Sequence, residues 1–514
     1  MTKYILAIDC GTQSLRPLIF SDKGELVDKV QIEYEPYYSS HPGWAEQDPD
    51  IYWNSLIQGC SRLKQNNPEI FDQIQGIGVT AIRASMVNVD RSGTPLRPVI
   101  VWLDQRKADP LFAPKGVVKK VLQLAGLYDG LLKIQETAEC NWIIQNQPDI
   151  WAETHKYLLV SGYLNYRLTG MFKDSVASQI GHFPFSYKKM TWASKWEPSA
   201  FLFPLDRSKL PELVQPGKPI GPLTAEAARL TGLKPGTPVI ACGSDKGCET
   251  IGMGVVRPTM ASLSFGTTAT VQTTTTNYFE PLRFMPPYPA PIPGHYNPEV
   301  EIFRGYWMIT WFKNEFAHKE VMDAARQGLK PEEVMNRLLS QAPPGAMGLI
   351  VQPYWGPGIN MPEAKGAMIG FGDVHKKPHV FRGVVEGLAY ALREGVETME
   401  KRGKTPITKL AVSGGASQSD EICRISADII NRPLVRGKTF ETSGLGAAIV
   451  TAVGLGWYNS FETAIHGMVH YDTVFDPDPV HARLYDRLYK DVYTKMYKAL
   501  KPLYGKIRDI TGYP

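Results

Sequence analysis

The chain has 514 residues, with 56 Lys and Arg against 51 Asp and Glu, a formal charge of +5, and 43% hydrophobic residues. A charge balance so near neutral, with no stretch of Lys and Arg interleaved with aromatics, excludes a nucleic-acid surface as its main partner. Six scattered cysteines with no C-x-x-C pair argue against a disulfide scaffold or a zinc site, and no segment supplies the ~18 apolar residues of a membrane span. A soluble, cytoplasmic protein without a membrane partner is expected, long enough for at least two domains.

In chain order, Tyr4–Asp9 is an apolar strand ending in Asp9-Cys10-Gly11-Thr12-Gln13-Ser14. A second strand, Leu15–Phe20, turns at Asp22-Lys23-Gly24 into a third, so the chain opens as a β-meander. Ile74–Val79 and Pro98–Leu103 read as further strands, and Val239–Cys242 as a strand ending in Gly243-Ser244-Asp245 before a helix. The first domain is expected to end near Gly254–Arg257, giving domains 1–256 and 257–514. A fresh meander starts at Ala261 and contains Phe265-Gly266-Thr267-Thr268. The proline-rich stretch Phe279–Pro298 reads as an irregular loop, and Glu301–Trp307 as a strand. Val380–Arg402 is a helix with Val384, Leu388 and Leu392 on one face. Leu410–Val412 is a strand running into Ser413-Gly414-Gly415, and small residues from Ser443 to Ala448 open another helix. The architecture is α/β, built twice.

Two turns opening with Gly-Thr after an apolar strand, some 250 residues apart, point to phosphate: backbone N–H groups and hydroxyls in such turns hold phosphate oxygens without a lysine clamp. Asp245 sits where a strand gives way to a helix, the end at which ligands gather in α/β folds. An ionised carboxylate there can take the proton of an attacking hydroxyl, or it can simply cap the helix. Asp9, beside the first turn, can hold Mg²⁺ through water or serve as an Asx-turn residue. Gly414 and Gly415 let the backbone approach a flat ligand such as adenosine.

The sequence resembles the FGGY family of carbohydrate kinases, within the actin/Hsp70/hexokinase-like ATPase superfamily. The motifs, in the family's order, are Asp9–Arg16, Gly43–Pro49, Trp102-x-Asp104-x-Arg106, Gly243-Ser244-Asp245, Gly266-Thr267-Thr268, Ser413–Ala416 and Leu445–Ala448. The resemblance implies two duplicated actin-like ATPase (ribonuclease H-like) domains with a cleft between them. The N-terminal domain would bind sugar and carry the base, and the C-terminal domain would bind nucleotide. It implies ATP and Mg²⁺ as cofactors, Asp245 as general base and Asp9 beside the metal. Gly11, Thr12, Gln13, Arg16, Gly266, Thr267, Gly414, Gly415 and Ser419 would meet the nucleotide. Arg83, Trp102, Asp104, Asp245 and Lys246 would meet a small sugar or polyol, with a ketose such as xylulose as the leading acceptor. Arg83 matches the arginine of the family's glycerol kinases, but Ala84 removes the carboxylate that follows it there, and Lys246 replaces an amide residue. Arg83 and Lys246 would then give the pocket two cationic donors, so glycerol is expected to be a poor acceptor; the alternative is that Arg83 or Lys246 simply salt-bridges a neighbouring acid. A non-catalytic sugar sensor on the same fold and another actin-like ATPase stay open as alternatives, and a homodimer is one assembly the resemblance allows.

Overall fold

The computed structural model describes residues 2–283, 285–356, 361 and 363–512. Its chain forms two compact units. Expected as a single cut between 256 and 257, the division is interleaved instead. The first unit comprises Met1–Gly254, Tyr288–Asn297 and Glu441–Val469, and the second Val255–Pro287, Pro298–Phe440 and His470–Pro514.

The first unit is built on a sheet whose central strands read as continuous apolar runs because both faces are covered. Its main strands are β1 (Tyr4–Cys10), β2 (Ser14–Ser21), β3 (Leu26–Lys29), β4 (Ile74–Ala81), β5 (Pro219–Pro222) and β6 (Pro238–Ser244), in the spatial order β5-β6-β4-β1-β2-β3, and a seventh, the short Ile32–Glu33, also pairs with β2. β1 is antiparallel to β2 and parallel to β4, and β4 is parallel to β6. Leu6, Ile8, Val79 and Ala241 are buried in its core. Helix α1 (Asp245–Gly252) follows β6 without a connecting loop.

The second unit repeats this plan. β7 (Met260–Phe265), β8 (Ala269–Thr273) and β9 (Glu299–Ile302) form the meander, followed by α2 (Trp307–Phe316), α3 (Pro331–Leu339) and the long α4 (Lys377–Gly403). Then come β10 (Lys409–Ser413), α5 (Asp420–Ile430) and β11 (Leu434–Gly437). The chain next returns to the first unit as α6 (Thr442–Gly454) before closing the second sheet with β12 (Tyr471–Phe475). The strand order is β9-β8-β7-β10-β11-β12, with β7 antiparallel to β8 and parallel to β10. Leu263, Val271, Leu388 and Val412 sit in this second core. The small residues of α6 serve close packing on α1: a Cβ added at Gly446 would fall 1.9 Å from the Cys248 carbonyl oxygen. That contact is why a segment so late in the chain belongs to the first unit.

Two local expectations change. The strand expected over Glu301–Trp307 ends at Ile302, and Trp307 instead opens α2. The proline-rich stretch, of which Phe284 lies outside the described residues, contains a two-strand ribbon, Tyr288–Pro289 paired with Tyr296–Asn297. Among the described residues no helix is long and apolar enough to cross a membrane.

Candidate functional site

The first Gly-Thr turn joins β1 to β2. The Gly11 N–H donates to the Ser14 carbonyl at 2.9 Å, and the register places Asp9 opposite Arg16. A polar scaffold fixes the turn from behind. Gln47 Nε2 donates to the Thr12 carbonyl at 2.9 Å and is itself oriented by the Tyr52 hydroxyl, which donates to Gln47 Oε1 at 2.6 Å. The Tyr34 hydroxyl donates to the Gly11 carbonyl at 2.7 Å, and the Tyr34 N–H donates to the Gln13 carbonyl at 3.0 Å. The Gln13 side chain itself is exposed. Trp102, 44% exposed, donates its indole N–H to Thr12 Oγ1 at 3.0 Å. Gln47 belongs to the Gly43–Pro49 motif, and sequence reasoning gave it no role because its partner lies 35 residues away.

Arg16 bridges two acids. It donates to Asp9 Oδ2 at 2.6 Å and to Glu441 Oε2 at 3.0 Å, while Lys29 holds Glu441 Oε1 at 2.9 Å. Asp9 is 2% exposed. Burial pushes its carboxyl up to about 6; Arg16 opposes this, and the charges of Asp245, Glu441 and Glu249 add to it. Burial thus disfavours its ionised form more than Arg16 restores it, and a further cation would offset that. Among the described residues no group of three or more His, Cys, Asp or Glu could hold a metal ion, so no all-protein cage is present. Mg²⁺ commonly binds without one, through one or two carboxylates, waters and substrate phosphates. Asp9 fits that manner of binding.

Asp245 begins α1 directly after β6. The capping role that competes for it is filled by Ser244, whose Oγ accepts the Gly247 N–H at 3.3 Å. Asp245 Oδ1 accepts the Lys246 N–H at 2.7 Å and lies 4.0 Å from Arg83 Nε. Burial raises the Asp245 carboxyl above its ordinary range, and the cations Arg83 and Lys246 pull it back. The Lys246 ammonium is bound to Glu249 Oε2, one turn along α1, at 2.7 Å. Glu249 was not foreseen, although its i, i+3 spacing on a helix is the signal that could have found it.

Arg83 follows the end of β4, and its guanidinium lies 5.3 Å from the ring centre of Tyr288. Asp104 departs from expectation. Its Oδ2 accepts the Ala45 N–H at 2.6 Å and Arg106 at 2.8 Å, and its Oδ1 accepts both the Arg106 backbone N–H and Nε at 2.8 Å. Arg106 is in turn stacked 3.9 Å from the centre of the Trp44 ring. With both oxygens engaged inside the protein and its side chain 3% exposed, Asp104 holds the 102–106 loop in place.

In the second unit, β7 ends at Phe265 and the Gly266-Thr267 turn leads into β8. The Gly266 carbonyl accepts the Tyr306 N–H at 3.0 Å and the Thr267 carbonyl accepts the Trp307 N–H at 3.4 Å. Gly414 has φ +88°, and a Cβ there would stand 2.7 Å from the Phe265 carbonyl carbon. Only glycine allows the ends of β7 and β10 to come so close. Gly415 starts the short turn that leads to Ser419, and Ser419 caps α5 by accepting the Ile422 N–H at 3.3 Å. Beside these ends lies a cavity of about 680 Å³ lined by Gly266, Thr267, Gly415 and Ser419, with Trp307 and Asn336 on other walls. That volume falls within the range of small-molecule and cofactor sites. Four expected nucleotide residues therefore meet at one cavity. Trp307 lines it because α2 begins at that residue; Asn336 comes from α3, whose Val334, Met335, Leu338 and Leu339 are buried.

Comparison with known proteins places the whole chain. The model of the FGGY family of carbohydrate kinases, N-terminal domain, matches residues 4–252, and that of the C-terminal domain matches residues 261–455. A protein of Escherichia coli described as an uncharacterized sugar kinase, YgcE, is 29% identical over 505 residues, covering 96% of this chain and 94% of that one. A xylulose kinase of Staphylococcus epidermidis is 28% identical over 518 residues, covering 99% of both. The crystal structure of gluconate kinase from Lactobacillus acidophilus superposes with a TM-score of 0.83 at 23% identity, covering 99% of this chain and 100% of that one. The fold is thus the duplicated α/β fold of the actin-like ATPases.

Proposed function

The chain belongs to the FGGY family of carbohydrate kinases, and from that premise we propose that it phosphorylates a hydroxyl of a ketose such as xylulose, with Asp245 as general base. It is a phosphotransferase acting on a small carbohydrate, and kinases of this family take ATP as donor. The observation that carries the proposal is Asp245 itself. It stands at a strand-to-helix junction, relieved of capping by Ser244, with a raised proton affinity and Arg83 Nε at 4.0 Å.

In the proposed reaction Asp245 accepts the hydroxyl proton as the acceptor oxygen attacks the γ-phosphorus. The bond from that phosphorus to the bridging oxygen breaks, and ADP leaves. Such transfers depend on positioning and charge neutralisation more than on covalent chemistry. Gly266, Thr267, Gly414, Gly415 and Ser419 would hold the nucleotide in the second unit. Gly11, Thr12, Gln13 and Arg16 would meet phosphate oxygens in the first. Asp9 would hold Mg²⁺ through water, and the bound ion supplies neutralisation of phosphate charge. Arg83 would orient the acceptor and Trp102 would border it, whereas Lys246 is taken up by Glu249. Arg83 also supports a second acceptor class, a sugar acid, because a guanidinium pairs with a carboxylate in a planar, bidentate geometry. A cytoplasmic homodimer completes the proposal, and sedimentation equilibrium tests that assembly.

A coupled ADP-release screen over ketoses, polyols, sugar acids and glycerol tests the acceptor. Turnover is expected on a ketose or a sugar acid, with poor activity on glycerol. Efficient phosphorylation of glycerol with none on the longer acceptors would overturn the reading.

A further inference from the structure

Resting on the acceptor reading above, we propose that the ribbon Tyr288–Asn297 forms part of the acceptor site and that Tyr288 is a positioning residue holding Arg83 toward an oxygen-rich, anionic or carbonyl-bearing sugar. In sequence the ribbon lies between β8 and β9, both strands of the second sheet, yet it belongs to the first unit. It pairs Tyr288 with Asn297 and Pro289 with Tyr296, and the Tyr296 hydroxyl ties it down by donating to the Lys188 carbonyl at 2.8 Å.

The ribbon lies against the junction that bears Asp245. Pro291 packs so tightly there that a Cβ added at Gly243 would come within 3.1 Å of it, and one at Gly247 within 3.2 Å. These two glycines flank Asp245, two residues away on either side. The same ribbon supplies the ring under Arg83: the guanidinium is 5.3 Å from the Tyr288 ring centre. Tyr187 meets Tyr288 edge-on, with ring centres 5.8 Å apart.

The backbone at Arg83 is shaped for display. Ala84 takes φ +48°, a left-handed conformation that is unfavourable for a residue with a Cβ and that clusters at functional sites. It is held there by its N–H, which donates to the Ile180 carbonyl at 3.0 Å. An arginine side chain has many rotamers, and a ring beneath the guanidinium fixes the plane of its donors. Arg83 Nε stands 4.0 Å from Asp245 Oδ1, a spacing that one small polyhydroxylated molecule spans, offering a hydroxyl to the base and a second oxygen to the guanidinium. A ribbon with a purely structural role gives no reason for a strained Ala84 and a ring under Arg83 to meet beside the proposed base.

The test uses the full chain with D-xylulose and D-gluconate as acceptors. Tyr288→Leu is expected to raise the acceptor KM roughly tenfold, the span of a partly desolvated cation–π contact, with a smaller fall in kcat and an ATP KM within about twofold. Tyr288→Phe keeps the ring and should recover most of the lost acceptor KM. Combining Tyr288→Leu with Arg83→Lys should be no worse than Arg83→Lys alone, because the ring then has no guanidinium to hold. The inference is overturned if Tyr288→Leu leaves the acceptor KM unchanged, if Tyr288→Phe is as impaired as Tyr288→Leu, or if the ATP KM moves as far as the acceptor KM. A wild-type protein that phosphorylates neither sugar overturns the acceptor reading itself, and this inference with it. Active wild type with an unaffected Tyr288→Leu overturns the inference alone.

Discussion

The two Gly-Thr turns occupy matching places in two copies of one sheet plan, but the first leaves four residues between paired Cys10 and Leu15, the second three between Phe265 and Ala269, and their surroundings diverge further. β1 and β7 occupy matching places, each antiparallel to the next strand and parallel to a strand far along the chain. In the first unit the turn is braced by Gln47, Tyr34 and Trp102, and stands beside the charged groups Asp9, Arg16 and Glu441. In the second, the turn opens onto a cavity of about 680 Å³ whose walls mix glycine, hydroxyl and aromatic groups with Lys330, Glu332 and Glu333. The scaffold is repeated, and the first copy sets its turn beside partly buried ion pairs whereas the second sets its turn beside a cavity. Variants at Asp245 and Arg83 should therefore disturb acceptor chemistry, and variants around the second turn nucleotide binding.

The largest effect is expected at Asp245. Asp245→Asn keeps the shape and removes the base, so kcat should fall on the order of 10²–10⁴-fold while ADP still binds, as read by calorimetry. Wild-type turnover in this variant would remove the base from the first unit. Gly414→Ala probes the other unit. The added Cβ meets the Phe265 backbone at 2.7 Å with φ +88°, and strain of this kind costs about 1–3 kcal/mol. A lower thermal midpoint and weaker ADP binding are expected, with acceptor binding preserved; unchanged values for both would show that the strand ends can separate without loss. Thr267→Val comes next. Losing one hydrogen bond to a charged phosphate costs about 1.5–3 kcal/mol, and the ATP KM should rise while the acceptor KM stays. A change confined to the acceptor would break the division between the units.

What could be read from the sequence was local. A glycine and a hydroxyl after an apolar strand announce a turn at Gly11-Thr12 and again at Gly266-Thr267, whatever surrounds them. The apolar stripe of α4 places it over Lys377–Gly403, three residues longer at its start and one at its end than the Val380–Arg402 expected. What escaped was set by distant partners. Asp104 carries the same side chain whether it faces a sugar or Arg106, and only the fold shows that Arg106 and the Ala45 N–H engage both of its oxygens. The Tyr288–Asn297 ribbon hid in a proline-rich stretch because its packing against Gly243 and Gly247 spans more than 40 residues of chain. Glu441–Val469 returns to the first unit through close contact of α6 with α1, which no local pattern reports.

The smallest effect, and the finest probe of the first unit's charges, is Lys246→Gln. Lys246 and Arg83 both lower the proton affinity of Asp245, against burial, which raises it. Removing the ammonium takes away one lowering charge. It also leaves Glu249, bound to Lys246 at 2.7 Å, without that counter-charge, and Glu249 raises the Asp245 carboxyl further. Both changes act in the same direction, so Asp245 holds its proton to higher pH. A general base works only when ionised, and activity is therefore lost as pH falls through its pKa. The acid limb of kcat/KM against pH should move to higher pH in Lys246→Gln, with the rate at the alkaline plateau nearly unchanged. Arg83 remains in place, so the preference among acceptors should hold. An acid limb that stays put, or moves to lower pH, would show that the limb belongs to a group other than Asp245. A changed order of acceptors would return Lys246 to the sugar pocket.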